Sequence, residues 1–416
     1  MLETQDKDVF SFLQAEMRRQ QNVLNMIPSE NIVSQAVREA TGSVACNKYS
    51  EGYPKKRYYQ GNVFVDELEN MAIERAKALF SAEHVNVQPY SGSPANMAIY
   101  YGLLKPGQKI LGMRLDMGGH LTHGHKVNFS SKFYTTAQYG VDRETGLIDM
   151  DEVRRIALKE KPAIIVSGGT AYPRIWDFAK FHDIAQEVGA ISFADISHVA
   201  GLIVGCVHPT PFPFTDVVMT TTHKTLRGPR GAMIMCKEKF AKQIDRAVFP
   251  GLQGGPHDNI IAAKAVAFGE ALRPEFRKYA AQIVNNAQVL AQSLMDNGIK
   301  LVTDGTDNHL ILIDLTSQGV GLGKVVAVAL ERAGFCTNAN TIPYDPSTPF
   351  KPSGIRIGTP ILTTRGMGES EMKEIGELFA RIVNDYKNEQ LIRQTRAQVQ
   401  TLCNKFPVYN RGTCVP

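Results

Sequence analysis

Between about residues 65 and 240 the sequence places short apolar runs at intervals, each unbroken rather than alternating, with longer helix-patterned stretches between them. Unbroken hydrophobicity means that a strand is buried on both faces. Such strands belong to mainly parallel sheets covered by helices, which bind ligands at the carboxyl ends of their strands. The spacing predicts helices over 65–80 and 177–188 and strands over 109–115, 163–169, 191–196, 217–222 and 231–236. The fold class is therefore α/β. A helical stretch over 258–297 leads out of this region. Beyond it, strands over 310–315 and 354–358, a helix over 323–333 and two amphipathic helices within 368–405 read as a smaller α/β domain. At the other end, Val9, Phe10, Leu13, Met17 and Leu24 fall at helical spacing over 8–25, as in an arm that packs on a partner subunit. The expected division is an N-terminal helical arm over 1–30, a large domain over 31–280 and a small C-terminal domain over 281–416.

Composition excludes several classes. A chain of 416 residues, 43% apolar and 21% charged, has the material for two large cores and no sign of disorder. Its net charge of +5 comes from dispersed basic residues, so neither a nucleic-acid face nor a membrane surface is indicated, although an anionic ligand is mildly favoured. Six cysteines, at 46, 206, 236, 336, 403 and 414, form no CxxC pair, which speaks against a zinc ribbon or a disulfide framework. No targeting pattern opens the chain and no apolar run reaches membrane-spanning length, so a cytoplasmic protein with reduced thiols is expected.

The chemistry concentrates at the ends of the predicted strands. VVMTTTHKTLRGPR, residues 217–230, delivers Lys224 where a buried strand gives way to a Gly/Pro turn, and desolvation there would make the amine a competent Schiff-base nucleophile. A lone lysine can instead carry its head out to solvent. A second strand, ISFADISH, ends by presenting Asp195 and His198. An acid opposite a lysine suits pyridoxal phosphate, whose aldehyde the amine holds and whose ring nitrogen the carboxylate keeps protonated. SGSPAN, residues 91–96, puts Ser91, Gly92 and Ser93 at the start of a helix, either as an anion site or as an ordinary serine cap. His120, His123 and His125 suggest a metal cluster, but no Cys or acid accompanies them locally. Arg356 lies inside an apolar strand and needs either a ligand carboxylate or an internal ion pair. The loop-rich stretch from Met26 to Asn62 crowds Tyr, Lys and Glu in a way that favours a site or an interface. GVGLGK, residues 319–324, has the wrong count for a nucleotide loop and reads as a tight turn into a helix.

Taken together, SEN at 29–31, NKYSEGYPKKRYYQG at 47–61, GGHLTHG at 118–124, ADISHVAGL at 194–202, TTTHKTLRGPRG at 220–231, FPGLQGGPHDN at 249–259 and TDNHL at 306–310 resemble serine hydroxymethyltransferase. The resemblance implies the type I pyridoxal-phosphate fold, with a mainly parallel seven-stranded sheet flanked by helices in the large domain. It also implies a homodimer with shared active sites and transfer of the hydroxymethyl group of L-serine to tetrahydrofolate, giving glycine and 5,10-methylenetetrahydrofolate. Lys224 would carry the cofactor covalently and Asp195 would hold its ring nitrogen. His120 would stack on the ring, with His198 and Thr170 at its edges and His223 packed beneath. The phosphate would fall to Ser91, Gly92 and Ser93, with Gly255 from the second subunit. Arg356 would bind the amino-acid carboxylate, with Ser29 and, from across the dimer, Tyr59; Glu51 and Tyr49 would also come from the neighbouring subunit, Glu51 handling the proton on the hydroxymethyl oxygen. Folate contacts would lie at Leu115, Gly119, His120, Leu121, Asn340, Thr348, Pro349 and Phe350. No metal is implied. The chain departs from the family pattern at Pro28, Gln60, Met117 and Ser197, where alanine, glycine, histidine and alanine are common. Relatives acting as folate-independent threonine aldolases or transaldolases, or on α-methylserine, share the scaffold. A silent binding protein would have no reason to keep Lys224 beside Asp195.

Overall fold

The seven strands of the large sheet follow from apolar runs too short for helices and rich in β-branched residues. In chain order they are β1 (His84–Asn86), β2 (Lys109–Met113), β3 (Thr135–Tyr139), β4 (Ile164–Ser167), β5 (Ile191–Asp195), β6 (Val217–Thr221) and β7 (Ala232–Cys236). The computed structural model describes residues 2–409, so Cys414 lies outside the described residues. The spatial order is β1-β7-β6-β5-β4-β2-β3. All pairings from β6 through β3 are parallel, and β7 runs antiparallel to both its neighbours. The mainly parallel sheet expected from the sequence is thus present.

By contacts the chain divides into two compact units, one comprising residues 29–281 and the other residues 1–28 with 282–416. In the first unit every residue of β4, β6 and β7 is buried, as the unbroken apolar runs require. One side of the sheet packs Ile99 and Tyr100 of the helix Gly92–Leu103 against Phe193, Met219 and Ile234. Because β2, β4, β5 and β6 are parallel, Met113, Ser167, Asp195 and Thr221 all finish on one edge. The residues that follow these strand ends make the site.

The second unit has its own three-stranded antiparallel sheet, in which Gly354–Gly358 is the centre strand between Leu310–Asp314 and Asn338–Asn340. Helices Gly323–Ala333, Glu369–Asn384 and Glu389–Lys405 supply Leu330, Phe379 and Val399 to its core. The turn at 319–324 uses left-handed Gly319 and Gly321 before the helix starts at Gly323. The helix expected over 8–25 ends early, at Gln21. Leu24 and Asn25 instead form a short strand parallel to Phe335–Cys336. Buried Arg365 takes the carbonyls of Gln21 at 3.1 Å and Val23 at 2.7 Å, so the chain is captured in extended form where local periodicity alone would continue the helix. Among the described residues no helix is long and apolar enough to cross a membrane.

Candidate active site

β5 and β6 are adjacent and parallel, with Asp195 opposite Met219. The first strand therefore ends on its acid five residues before the second reaches Lys224. Lys224 is half-buried on a turn closed by Thr222, whose N–H donates to Gly231 O at 3.0 Å and whose hydroxyl donates to Pro229 O at 2.5 Å. Asn31 of the SEN segment donates to Lys224 O at 3.0 Å and to the Tyr279 hydroxyl at 2.7 Å, and the Arg227 guanidinium lies 4.5 Å above the Tyr279 ring. Thr225 ties the turn to the end of β5 by donating to His198 O at 2.8 Å. His198 is buried. The lysine thus stands on backbone fixed from three sides, although its own side chain emerges from a turn.

Asp195 is 8% exposed, and each of its oxygens takes two donors. Oδ1 accepts the Ser197 hydroxyl at 2.6 Å and the Ser197 N–H at 3.2 Å. Oδ2 accepts His123 Nε2–H at 3.0 Å and Asn96 Nδ2–H at 3.1 Å. Burial alone would raise the carboxyl pKa. The hydrogen bond and charge of His123, then the charge of His120 and the Ser197 hydroxyl, outweigh it and hold the group well below the usual carboxylate range. His120 sits in the loop after β2, with Thr122 N–H directed to its Nδ1 at 3.2 Å and the Thr122 hydroxyl 2.8 Å from the same nitrogen. Asn96 also donates to that hydroxyl at 2.8 Å, so one network runs from Asp195 to His120. Of the three histidines weighed as a metal cluster, His123 is the partner of an acid 72 positions away, which no local reading of GGHLTHGH could find.

Ser91 precedes the helix Gly92–Leu103 and makes no side-chain cap, which leaves the first N–H groups of the helix to another acceptor. Gly92 lies so near the end of β6 that a Cβ would come 2.7 Å from Thr221 Cγ2. Thr221 Oγ1 and His223 Nδ1 are buried with no hydrogen-bond partner among the described residues. Burial, with the charges of Lys224 and Arg230, pushes the His223 pKa down to about 3. His223 lines a cavity of about 430 Å³ together with Ser29, Glu30, Asn31, Arg38 and Arg230. Thr170 follows β4 and donates its hydroxyl to Gly119 O at 2.9 Å. Leu115 is half-buried and Leu121 exposed in the loop between β2 and β3.

The loop carrying Tyr49 and Glu51 is organised separately. The Tyr49 hydroxyl lies 3.3 Å from Glu51 Oε1, and the Tyr49 ring meets Tyr59 edge-on at 5.2 Å. A Cβ at Gly254 would come 3.0 Å from Glu51 Oε1, and one at Gly255 would come 3.2 Å from the Tyr49 ring. The Tyr90 hydroxyl donates to Gly255 O at 2.8 Å, which places this group next to Ser91 in sequence. Arg57, absent from the sequence-derived set, holds the loop by donating to Ser50 O at 2.9 Å and Gly52 O at 2.8 Å on either side of Glu51. Its charge is matched by Glu69 at 2.6 Å and Asp66 at 2.8 Å.

The second unit carries the remaining candidates. Arg356 is buried in the centre strand, where its Nε–H donates to Asn338 Oδ1 at 3.1 Å and burial pushes its pKa down to about 10. Asn340 lies in the neighbouring strand, opposite Gly354. Thr348, Pro349 and Phe350 form an exposed loop, Phe350 being 81% exposed.

The serine hydroxymethyltransferase family model matches residues 2–379 of the chain. A serine hydroxymethyltransferase of Desulfotalea psychrophila is 55% identical over 406 residues, covering 98% of this chain and 95% of its own length. One from Acidothermus cellulolyticus is 60% identical over 370 residues, covering 89% and 86%. With the family model matching residues 2–379 and identity of this level along nearly its whole length, the chain belongs to the serine hydroxymethyltransferase family.

Proposed function

We propose that the chain transfers the hydroxymethyl group of L-serine to tetrahydrofolate, giving glycine and 5,10-methylenetetrahydrofolate, with pyridoxal phosphate bound through Lys224. The observation that carries this reading is Asp195, a buried acid kept ionised by four donors at the end of the strand adjacent to the one that leads to Lys224. The surroundings suit a phosphorylated pyridine aldehyde. The uncapped helix start at Ser91, Gly92 and Ser93 and the unpartnered Thr221 hydroxyl would take the phosphate, and Asp195 the ring nitrogen. When bound, the cofactor supplies an electron sink for the pair released as the serine Cα–Cβ bond opens.

The protein's own groups do the rest. Arg356, a guanidinium in a buried strand, would hold the substrate carboxylate, with Ser29 and Tyr59 as further contacts. Glu51 would take and return the proton of the substrate hydroxyl, with Tyr49 fixing its carboxylate. His120, linked through Thr122 to the Asp195 network, would lie over the ring face, with Thr170 and His198 at its edges and His223 beneath. Leu115, Gly119, Leu121, Asn340 and the 348–350 loop would contact the folate. We place Glu51, Tyr49, Tyr59 and Gly255 in the site of the opposite subunit of a cytoplasmic homodimer, with residues 1–30, 31–280 and 281–416 as arm, large and small domains.

Borohydride reduction of the protein loaded with pyridoxal phosphate should fix the cofactor on Lys224, detected by peptide mass. Attachment at another residue, or an unchanged adduct in Lys224→Ala, overturns the assignment. Mixing Lys224→Ala with Glu51→Gln tests the shared site. Statistical hybrids form half of the dimers and rebuild one site in each, so activity should return to about a quarter of wild type. No recovery, with subunit exchange demonstrated, would place Glu51 in the same subunit as its lysine.

A further inference from the structure

Lys264 lies in the helix Asp258–Ala271, in the middle of the run IIAAKAVAF, and is 1% exposed. Desolvating an ammonium costs several kcal/mol unless its donors are met, and here burial pushes its pKa down to about 7. Among the described residues no carboxylate pairs with it. Its Nζ donates instead to three main-chain carbonyls, Val87 at 2.6 Å, Ala232 at 2.7 Å and Pro89 at 3.3 Å. An ammonium has three N–H groups, so each has one acceptor.

The identity of those carbonyls gives the arrangement its meaning. Val87 and Pro89 lie on the short link between the end of β1 at Asn86 and Ser91, the residue that opens the helix Gly92–Leu103. Ala232 is the first residue of β7, directly after the turn that carries Lys224. Ala232 N–H also donates to Pro89 O, at 3.3 Å. Gly231, whose carbonyl closes the turn through Thr222, leaves the passage for the lysine: a Cβ there would come 2.6 Å from Lys264 Cε and 3.1 Å from Nζ. One ammonium therefore fastens the segment leading into the uncapped helix start to the segment leaving the reactive turn.

We propose that Lys264 is a positioning residue that fixes the phosphate-binding helix start relative to the Lys224 turn. A neutral side chain of the same length would fill the volume but take the ammonium donor from the Val87 and Ala232 carbonyls and leave Pro89 O with the Ala232 N–H at 3.3 Å, so the link between the two segments would loosen. This inference rests on the reading of the Ser91–Ser93 helix start as the phosphate site.

The test compares binding of pyridoxal phosphate and of pyridoxal, which lacks the phosphate, to cofactor-free full-length protein, by absorbance titration of wild type, Lys264→Met and Gly231→Ala. For Lys264→Met the dissociation constant for pyridoxal phosphate should rise about tenfold while that for pyridoxal stays within about twofold. A merely structural loss would weaken both ligands alike, and that result, or no loss for either, overturns the proposal. If Lys264→Met does not fold, Gly231→Ala carries the same comparison, because it keeps the ammonium but crowds it out of position. If wild type itself shows no preference for pyridoxal phosphate over pyridoxal, the phosphate reading falls and takes this inference with it. A preference in wild type that Lys264→Met retains unchanged defeats the inference alone.

Discussion

Asp195 and Glu51 are both carboxylates of the proposed site, and they are held in opposite ways. Asp195 ends a central strand, is almost fully buried, and has four protein donors on its own two oxygens. Glu51 sits half-buried on a loop and has the Tyr49 hydroxyl, at 3.3 Å, as its side-chain contact, while the fixing is done to its neighbours' backbone by Arg57. The difference follows from the work assigned to each. A group that must keep its charge throughout is surrounded by donors, whereas one that must gain and lose a proton has to leave its oxygens accessible.

Removing the surrounded acid should have the largest effect. Asp195→Ala takes away the charge proposed to stabilise the protonated ring and leaves His123 Nε2 without its acceptor, so kcat for serine cleavage should fall about 10³-fold. Steady-state assay with tetrahydrofolate decides it. A loss of tenfold or less would mean that the ring nitrogen does not need this carboxylate.

The loop side should break through its support. In Arg57→Met the Arg57–Glu69 pair, whose side chains are 4% and 1% exposed, loses one member, which costs about 3–5 kcal/mol of stability. Of the carbonyls flanking Glu51, Ser50 O loses its Arg57 donor and Gly52 O keeps the Gln88 amide at 2.9 Å. Where the variant stays folded, kcat should fall about 10²-fold with cofactor affinity nearly unchanged, the pattern for a misplaced proton carrier. Equal damage to cofactor binding would show that the loop and the strand-end network are not separately held.

Acid titration separates the strand-end region from the loop in another way. His223 is half-buried with its Nδ1 atom buried and without a partner, and its folded pKa of about 3 lies below the ordinary 6.5. The unfolded chain therefore binds a proton that the folded chain refuses. The stability from keeping His223 neutral is complete above pH 6.5 and is lost progressively as pH falls toward 3, by at most about 5 kcal/mol at 1.36 kcal/mol per unit. His223→Gln should flatten the acid limb of melting temperature against pH over that range. An unchanged slope would show that another group controls it. Asp195, with its pKa held low, keeps its contribution until pH falls below the ordinary carboxylate range.

The sheet was legible because burial on both faces leaves an unbroken apolar run, and β4, β5, β6 and β7 all lie within the strands expected from such runs. β3 was not expected, since TTAQY is mostly half-exposed at the sheet edge and carries no such signal. Nor was the helix Met150–Glu160, which has only Val153 and Ala157 buried. At the site, residues that end strands or open helices were visible from sequence, because their position follows from the element itself. Their partners were not. His123 and Asn96 reach Asp195 across 72 and 99 positions, a relation created by the strand order. Lys264 did leave a trace, a charge inside an apolar helical run, but nothing in the sequence says which carbonyls would meet it.

The smallest effect should come from Ser197→Ala, and it tests how far Asp195 is over-determined. Ser197 Oγ donates to Asp195 Oδ1 at 2.6 Å and accepts the Thr221 N–H at 3.0 Å, joining the acid to the end of the neighbouring strand. Alanine removes one of four donors to the carboxylate and strands one buried N–H, about 1–2 kcal/mol in all. The charge of Asp195 survives, because His123 and Asn96 still hold Oδ2 and the backbone N–H of residue 197 still holds Oδ1. The expected result is a melting temperature a few degrees lower and kcat reduced about fivefold or less, measured side by side with Asp195→Ala. If Ser197→Ala instead approached the loss seen for Asp195→Ala, orientation of the carboxylate by this one hydroxyl would be the controlling feature, and the contrast with Glu51 would lie in the number of donors only, not in their redundancy.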